Sequence, residues 1–281
     1  MTKLRYLFLS AHLDDAIISC GDYISKLVQE GNRVTIATVF AGENPFKSLS
    51  MLARIIHKKF NLGSEVMSIR RSEDLTAAAL LGADCVHLNI PECIYRRNPD
   101  FSPSYRKLEE LFRADLSLEQ PMIEEVIQQL SAAIHLAEYE QIYVPLGIGR
   151  HVDHLIVRHA FERWMDTIDY AYLYKIAYYE DLPYKHYQLD VNWKTDLANQ
   201  FVVTAICLSR VHLIAKIRAI ELYKSQQRLL WNSRFSMYKQ MLKNTRTSAD
   251  ENYSNKDRKY RFNIYINKRD KIRMKAGEIS D

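Results

Sequence analysis

Two short segments carry the residue types that could do chemistry: Ala11-His12-Leu13-Asp14-Asp15 and Arg150-His151-Val152-Asp153-His154. Each closely follows an apolar run that reads as a buried strand and precedes a helical pattern. His12 and Asp15 are three apart at a strand-to-helix turn, so both can face one point. His154 can approach from a second strand end. Two imidazoles and one carboxylate leave open positions on a divalent metal, the usual form of a catalytic zinc site. Zinc would make water a better nucleophile and polarise a carbonyl. Asp14, beside a ligand, is placed to take a proton from that water. His151, three residues before His154, could stabilise an oxyanion or protonate a leaving amine. Asp153 could hold an imidazole in one tautomer. The combination points to a metal hydrolase.

Each residue also has a plainer explanation. An Asp just before a helix is most often an N-cap, and a histidine at a strand end is usually only hydrogen bonded. The spacing HxxD is weak by itself. Two such segments, each between a strand and a helix, are much harder to explain as caps. Rival chemistries lack their motifs: there is no GxGxxG after the first strand, no GxxxxGK[ST] and no GxSxG.

The elements that must position these residues alternate. Strands are expected at Arg5–Ser10, Arg33–Phe40, Cys85–Leu88, Gln141–Pro145 and Tyr170–Tyr178. Helices are expected from Ala16 to Glu30, then at Ser48–Lys59, Ser64–Leu81, Pro121–Tyr139 and Asp153–Asp166. Gly82 suits a helix C-cap. The alternation argues for an α/β fold with a mainly parallel sheet flanked by helices. In such sheets ligands bind beyond the carboxyl ends of strands, where both segments lie. Further on, Phe201–Cys207 reads as a strand, Arg210–Tyr223 and Arg234–Lys243 as helices, and Arg258–Ile266 as a final edge strand.

The 281 residues are 47% hydrophobic and 26% charged, with net charge +5. These values suit a packed globular chain. No apolar run is long enough for a membrane-spanning helix. The four cysteines show no CxxC pair, so neither a disulfide framework nor a zinc knuckle is expected, and a cytoplasmic location is the simplest reading. Residues 1–243 read as one catalytic domain. Residues 244–281 read as a basic C-terminal extension with a polar entry at Thr245–Asn255, peripheral to the chemistry. Its charge is expected to be solvated surface, so no nucleic-acid partner is expected; a tail that meets phosphates, nucleic acid or an anionic membrane surface is the rival reading.

These motifs resemble the PIG-L/LmbE-like family of zinc-dependent N-acetylglucosaminyl deacetylases. The family's first motif, Ala-His-Pro-Asp-Asp-Glu, stands here as Ala11-His12-Leu13-Asp14-Asp15-Ala16, and its His-x-Asp-His as His151-Val152-Asp153-His154. Supporting likeness lies in Arg70-Arg71-Ser72-Glu73-Asp74, Tyr95-Arg96, Tyr179 to Tyr184, and Lys216 to Gln226. The resemblance covers most of residues 5–226. It implies a Rossmann-like doubly wound sheet and one Zn2+ held by His12, Asp15 and His154. It further implies Asp14 as general base, His151 as acid or oxyanion partner and Asp153 orienting a histidine. Arg71 and Glu73 fall near positions that touch substrate. The implied reaction removes the acetyl group from a small-molecule N-acetylglucosamine-type sugar or its conjugate. The alternative is a degenerate relative that binds a sugar conjugate without hydrolysing it. Leu13 and Ala16 depart from the pattern, and loss of the Glu removes a charge expected near the pocket.

Overall fold

A computed structural model describes residues 3–62, 65–112, 115–168, 170–184, 199–245 and 260–268. Most of the basic extension, including nearly all of Thr245–Asn255, lies outside the described residues. The strands are β1 (Arg5–Ser10), β2 (Arg33–Thr38), β3 (Asp84–His87), β4 (Gln141–Pro145), β5 (Ile176–Tyr179), β6 (Phe201–Leu208) and β7 (Tyr260–Asn267). The helices are α1 (Asp15–Gln29), α2 (Met51–Phe60), α3 (Val66–Leu81), α4 (Gln120–Ala133), α5 (Val152–Asp166), α6 (Arg210–Ile220), α7 (Lys224–Leu230) and α8 (Arg234–Thr245). None of the described helices is long and apolar enough to cross a membrane.

One seven-stranded sheet runs in the order β3-β2-β1-β4-β5-β7-β6. The first five strands are parallel, and β7 runs antiparallel to both neighbours. Side chains alternate across β1, so its residues enter two cores. Leu7 and Leu9 pack on one face with Ile156, Val157 and Phe161 of α5 and with Val126 and Leu130 of α4. Phe8 packs on the other with Ile17 and Ile24 of α1 and Leu213 and Ile217 of α6. Burial on both faces explains why β1 and β4 read as apolar runs rather than alternating strands.

The connection out of β1 leads to β2 on one side, while β4 lies on its other side. That reversal is a topological switch point, and it opens a crevice beyond the carboxyl ends of β1 and β4. The two His/Asp segments occupy those ends. Their separation along the sequence therefore vanishes in space.

Several boundaries differ from expectation. The segment expected as a strand from Tyr170 begins as a 3-10 turn over Tyr170–Lys175, and only Ile176–Tyr179 pairs with β4. The helix expected to reach Tyr139 stops at Ala133, where Ile134 turns extended, and a 3-10 turn follows at Leu136–Glu138. The helix expected over Arg210–Tyr223 ends at Ile220, and α7 begins separately at Lys224. Most consequential is β7. The strand expected at an edge lies between β5 and β6, pairing eight residues with β6 and two with β5. Phe262 of β7 is buried and stacks on Tyr23 of α1 at 4.9 Å.

This placement makes the strand a structural member of the sheet. Phe262→Ala should cost about 3–5 kcal/mol of stability, the usual penalty for emptying a buried aromatic site. A chain ended at Lys243 loses the pairing partner of β6 and should be less stable still. Urea unfolding measures both; a Phe262→Ala protein with an unshifted midpoint would contradict the packing described.

Candidate active site

The turn after β1 is built by Ser10. Its hydroxyl donates to the His12 carbonyl at 2.7 Å and accepts from the Ala16 amide at 3.0 Å. Ser10 thereby satisfies one of the donors at the start of α1, and Asp14 makes no side-chain capping bond. Asp14 sits at φ 154°, ψ −29°, a conformation non-glycine residues rarely take and one that often marks functional sites. The capping explanation of Asp14 and Asp15 thus fails. Asp14 lines a cavity, and Asp15 turns its carboxylate onto histidines.

Oδ2 of Asp15 is a point of convergence. It accepts from the His12 backbone amide at 2.8 Å and from His12 Nδ1 at 3.0 Å. His154 Nε2 lies 3.1 Å from the same oxygen. Each imidazole is fixed from behind through its other nitrogen. His12 Nε2 lies 2.9 Å from Asp153 Oδ2, and His154 Nδ1 lies 2.6 Å from Asp181 Oδ1. Asp181 is held in turn by the Ile148 amide at 2.9 Å. Asp153 has no exposed surface; its Oδ2 also accepts from the Cys93 amide at 3.0 Å, and its Oδ1 meets the Arg96 guanidinium.

On the second segment, Gly147, Gly149 and Arg150 all have positive φ as the chain turns from β4 into α5. At Gly149 a Cβ would fall 2.7 Å from Cβ of Tyr184, so only glycine fits there. Tyr184 in turn packs edge-on against His154 at 5.1 Å. His151, not Asp153, caps α5: the Asp153 amide donates to His151 Nδ1 at 3.3 Å. The His151 and His12 rings lie 5.0 Å apart.

Charge in this buried cluster is strongly organised. Burial works against protonating His12 and His154, but Asp15 and their carboxylate partners outweigh it, raising His12 well above its ordinary value and His154 to about 9. Burial also opposes charge on Asp15, yet His154 and His12 hold its pKa well below the usual range. Burial, with the Asp15 charge next to it, pushes the Asp14 carboxyl well above that range. Burial and the nearby His12 push His151 well below a normal histidine. Unlike neighbours with opposed pKa shifts are a mark of functional sites.

A divalent metal suits this donor set. Nε2 of His154 is buried and makes no hydrogen bond of acceptable geometry. The nitrogens of His12 and His154 that converge on Asp15 have their opposite ring positions backed by carboxylates, the arrangement that orients metal-binding imidazoles. The negative potential that keeps protons on both rings would equally hold a cation, which displaces them. His151 could join this group: one ring nitrogen from each of His12, His151 and His154 lies within 4.8 Å of the others.

The site opens into a cavity of about 850 Å³ lined by His12, Asp14, Asp15, Arg70, Glu92, Arg150 and His151, among others. Arg71 and Glu73, expected near substrate, do not line it. Arg71 donates to the Ala41 carbonyl at 2.8 Å and pairs with Glu43. Glu73 accepts from the Ser225 amide at 3.0 Å, joining α3 to α7. Successive residues on α3 are turned by about 100°, and it is Arg70, paired with Glu92, that faces the cavity. The charge lost at Ala16 is also not missed in the cavity wall: Ala16 packs with the α1 core and Leu13 in the opposite core. Sequence reading gave no roles to Arg96 and Asp181, although both stood in the stretches that carried the resemblance.

Comparison with known proteins agrees with this geometry. The PIG-L family model, described as GlcNAc-PI de-N-acetylase, matches residues 7–165. A 2'-N-acetylparomamine deacetylase of Niallia circulans is 27% identical over 198 residues, covering 65% of this chain and 68% of that protein. The zinc-inhibited form of teicoplanin deacetylase Orf2 superposes with TM-score 0.74 at 24% identity, covering 93% of this chain and 97% of that one. The A40926 pseudoaglycone deacetylase Dbv21 gives 0.71 at 23% identity, over 94% and 97%. At these identities the two structures speak for the fold. The family model spans more than half of the chain and includes both strand ends that bear the His/Asp segments: the chain belongs to the PIG-L, or GlcNAc-PI de-N-acetylase, family.

Proposed function

We propose that this protein is a zinc-dependent amidase that removes the N-acetyl group from an amino-sugar conjugate. The observation that carries the proposal is the convergence of His12 Nδ1 and His154 Nε2 on Asp15 Oδ2, beside an Asp14 carboxyl that caps no helix and lines the same cavity. Membership of a de-N-acetylase family and the deacetylase named in the curated relative point to the same reaction.

In this reading His12, Asp15 and His154 hold the metal. A bound zinc ion supplies Lewis acidity, making water more acidic and an amide carbonyl more electrophilic. Asp14 is the general base. Its raised pKa suits it to accept a proton from water and to return it to the leaving amine. The neutral state of His151 has a further consequence. Its Nδ1 accepts the Asp153 amide, so its proton resides on Nε2, free to donate to developing negative charge on the carbonyl oxygen. Asp153 and Asp181 are positioning residues for His12 and His154.

Purified protein loaded with metal should hold about one zinc per chain, as a single catalytic site requires. His12→Ala, Asp15→Ala and His154→Ala should each lose it; full metal content in all three mutants would refute the ligand set. Asp14→Asn should keep the metal and lower turnover by about 10²-fold or more. An Asp14→Asn enzyme that releases acetate at the wild-type rate would remove Asp14 from the base role. Arg96→Met should act indirectly, by leaving Asp153 buried without its strongest partner. We expect about 3–5 kcal/mol of destabilisation and roughly 10–100-fold weaker zinc binding, read by unfolding and by metal titration; unchanged zinc affinity would sever Arg96 from the site.

A further inference from the structure

A second cluster of metal-ligating residue types lies outside the cavity, where β3 meets α3. Cys85 and His87 are two apart on β3, so both side chains leave the same face of the strand. That face carries them to Asp74 of α3. His87 Nε2 lies 2.8 Å from Asp74 Oδ2, and Cys85 Sγ lies 4.0 Å from the same oxygen. One ligand atom from each of the three residues stands within 4.8 Å of the other two. Asp74 is 1% exposed, while Cys85 and His87 are half-buried. None of the three lines the cavity at the candidate active site.

Hydrogen bonding alone explains part of this. A buried carboxylate needs donors. Asp74 Oδ1 takes the Tyr223 hydroxyl at 2.5 Å, and Oδ2 takes His87 and, at 3.4 Å, the Thr38 hydroxyl. A thiol is a weak donor and adds little to that set; as a third ligand beside the imidazole it has a use. The arrangement repeats what stands at Asp15, where two imidazoles gather on one carboxylate oxygen. Tyr223 fixes the Asp74 carboxylate through Oδ1, the support that metal-binding carboxylates commonly have. Tetrahedral zinc sets its oxygen, nitrogen and sulfur ligands about 3.4–3.6 Å apart. To reach that, the His87–Asp74 distance opens by about 0.6 Å and the Cys85–Asp74 distance closes by about 0.5 Å. Among the described residues β3 pairs only with β2, so no second strand opposes so small a shift.

We propose that Asp74, Cys85 and His87 form a second metal site, separate from the candidate catalytic one, that takes a zinc-type divalent cation with water in its fourth position. A thiolate with an imidazole selects zinc over magnesium or calcium, which prefer oxygen ligands. Binding releases the Cys85 thiol proton to solvent, and a neutral His87 bound through Nε2 carries its proton on Nδ1. Burial, with Asp74 and Asp84 nearby, pushes the Cys85 thiol above its ordinary value. The metal must displace that proton, so this site fills after the first equivalent of zinc rather than with it. An ion here ties the last strand of the sheet to α3 and, through Tyr223, to the start of α7, which stabilises the folded chain. The site stands independently of the reaction proposed above.

The test titrates the full-length protein with zinc. One equivalent fills the candidate catalytic site; a second, weaker equivalent should follow and raise the unfolding temperature further. Cys85→Ser and His87→Gln should each bind the first equivalent and lose the second. The glutamine amide still offers Asp74 a donor, so that variant keeps the fold. Cobalt(II) gives a sharper reading, because a thiolate ligand adds a near-ultraviolet charge-transfer absorption that imidazole and carboxylate ligands do not. The second equivalent of cobalt should bring in that band. Cys85→Ser should abolish it, while His12→Ala and Cys93→Ser should keep it. Magnesium in large excess should leave it unchanged. A titration that ends at one equivalent overturns the proposal, as does a second equivalent retained by both Cys85→Ser and His87→Gln. A band lost in Cys93→Ser but kept in Cys85→Ser places the thiolate at the cavity instead and overturns it equally.

Discussion

The architecture of the site depends on compensating buried carboxylates. Asp15, Asp153 and Asp181 lie out of solvent at the ends of a parallel sheet, where an unpaired charge would be very costly. Each is compensated by an imidazole, and each imidazole is thereby aimed. His12 bridges Asp15 and Asp153, and His154 lies between Asp15 and Asp181. The network continues outward from Asp153 to Arg96, then to Glu119 at 3.3 Å, whose other oxygen takes the Tyr105 hydroxyl at 2.5 Å. Arg70 and Glu92 form a second buried pair at the cavity. Replacing one member exposes the next to an unmet charge, so imidazole geometry and local stability are one problem here.

This explains which parts of the site were legible in the sequence. The two His/Asp segments stood out because each is local: a strand end, a turn and a helix start within five residues. Their meeting followed from strand alternation, since a parallel sheet gathers such ends on one side. The supporting groups were hidden because their pairings are not local. Asp153 and Arg96 are 57 residues apart, and His154 and Asp181 are 27 apart. Arg70 was within reach. Met67, Arg70, Asp74, Ala77, Ala78 and Leu81 form the buried stripe of α3, and helical phase alone puts Arg70 inward and Arg71 and Glu73 on other faces. Likeness of residue type favoured Arg71 and Glu73; rotation along the helix decides against them as cavity lining.

The last strand misled for a different reason. In the sequence Arg258, Lys259 and Lys268 flank it and Arg261 lies within it, and such charges usually guard a free edge. Its burial repeats every third residue, at Phe262 and Tyr265, rather than every second. That pattern follows from its unequal pairing. β7 lies along the whole of β6 but pairs with β5 only at Ile264 and Tyr265, so only that short stretch is flanked by strands on both sides. A strand of this kind has no simple alternating signature.

The same strand ties the C-terminal region to the chemistry. Tyr265 donates its hydroxyl to Glu180 at 2.5 Å, one residue before the Asp181 that orients His154. Tyr179, just ahead, donates to the Leu9 carbonyl of β1 at 2.7 Å. The segment after β5 is thus clamped between β7 and the strand that delivers His12 and Asp15. A region that composition alone assigns to solvated surface thus bonds to the residue next to the aspartate that backs His154. Deformation at β7 would reach His154 through two hydrogen-bonded neighbours, Glu180 and Asp181. The cavity wall has a comparable link: His57 of α2 meets the Tyr95 hydroxyl at 2.7 Å, one residue before the Arg96 that pairs with Asp153. The His/Asp cluster and the helices around the cavity therefore share one network of buried polar contacts, and a change in either is felt by the other.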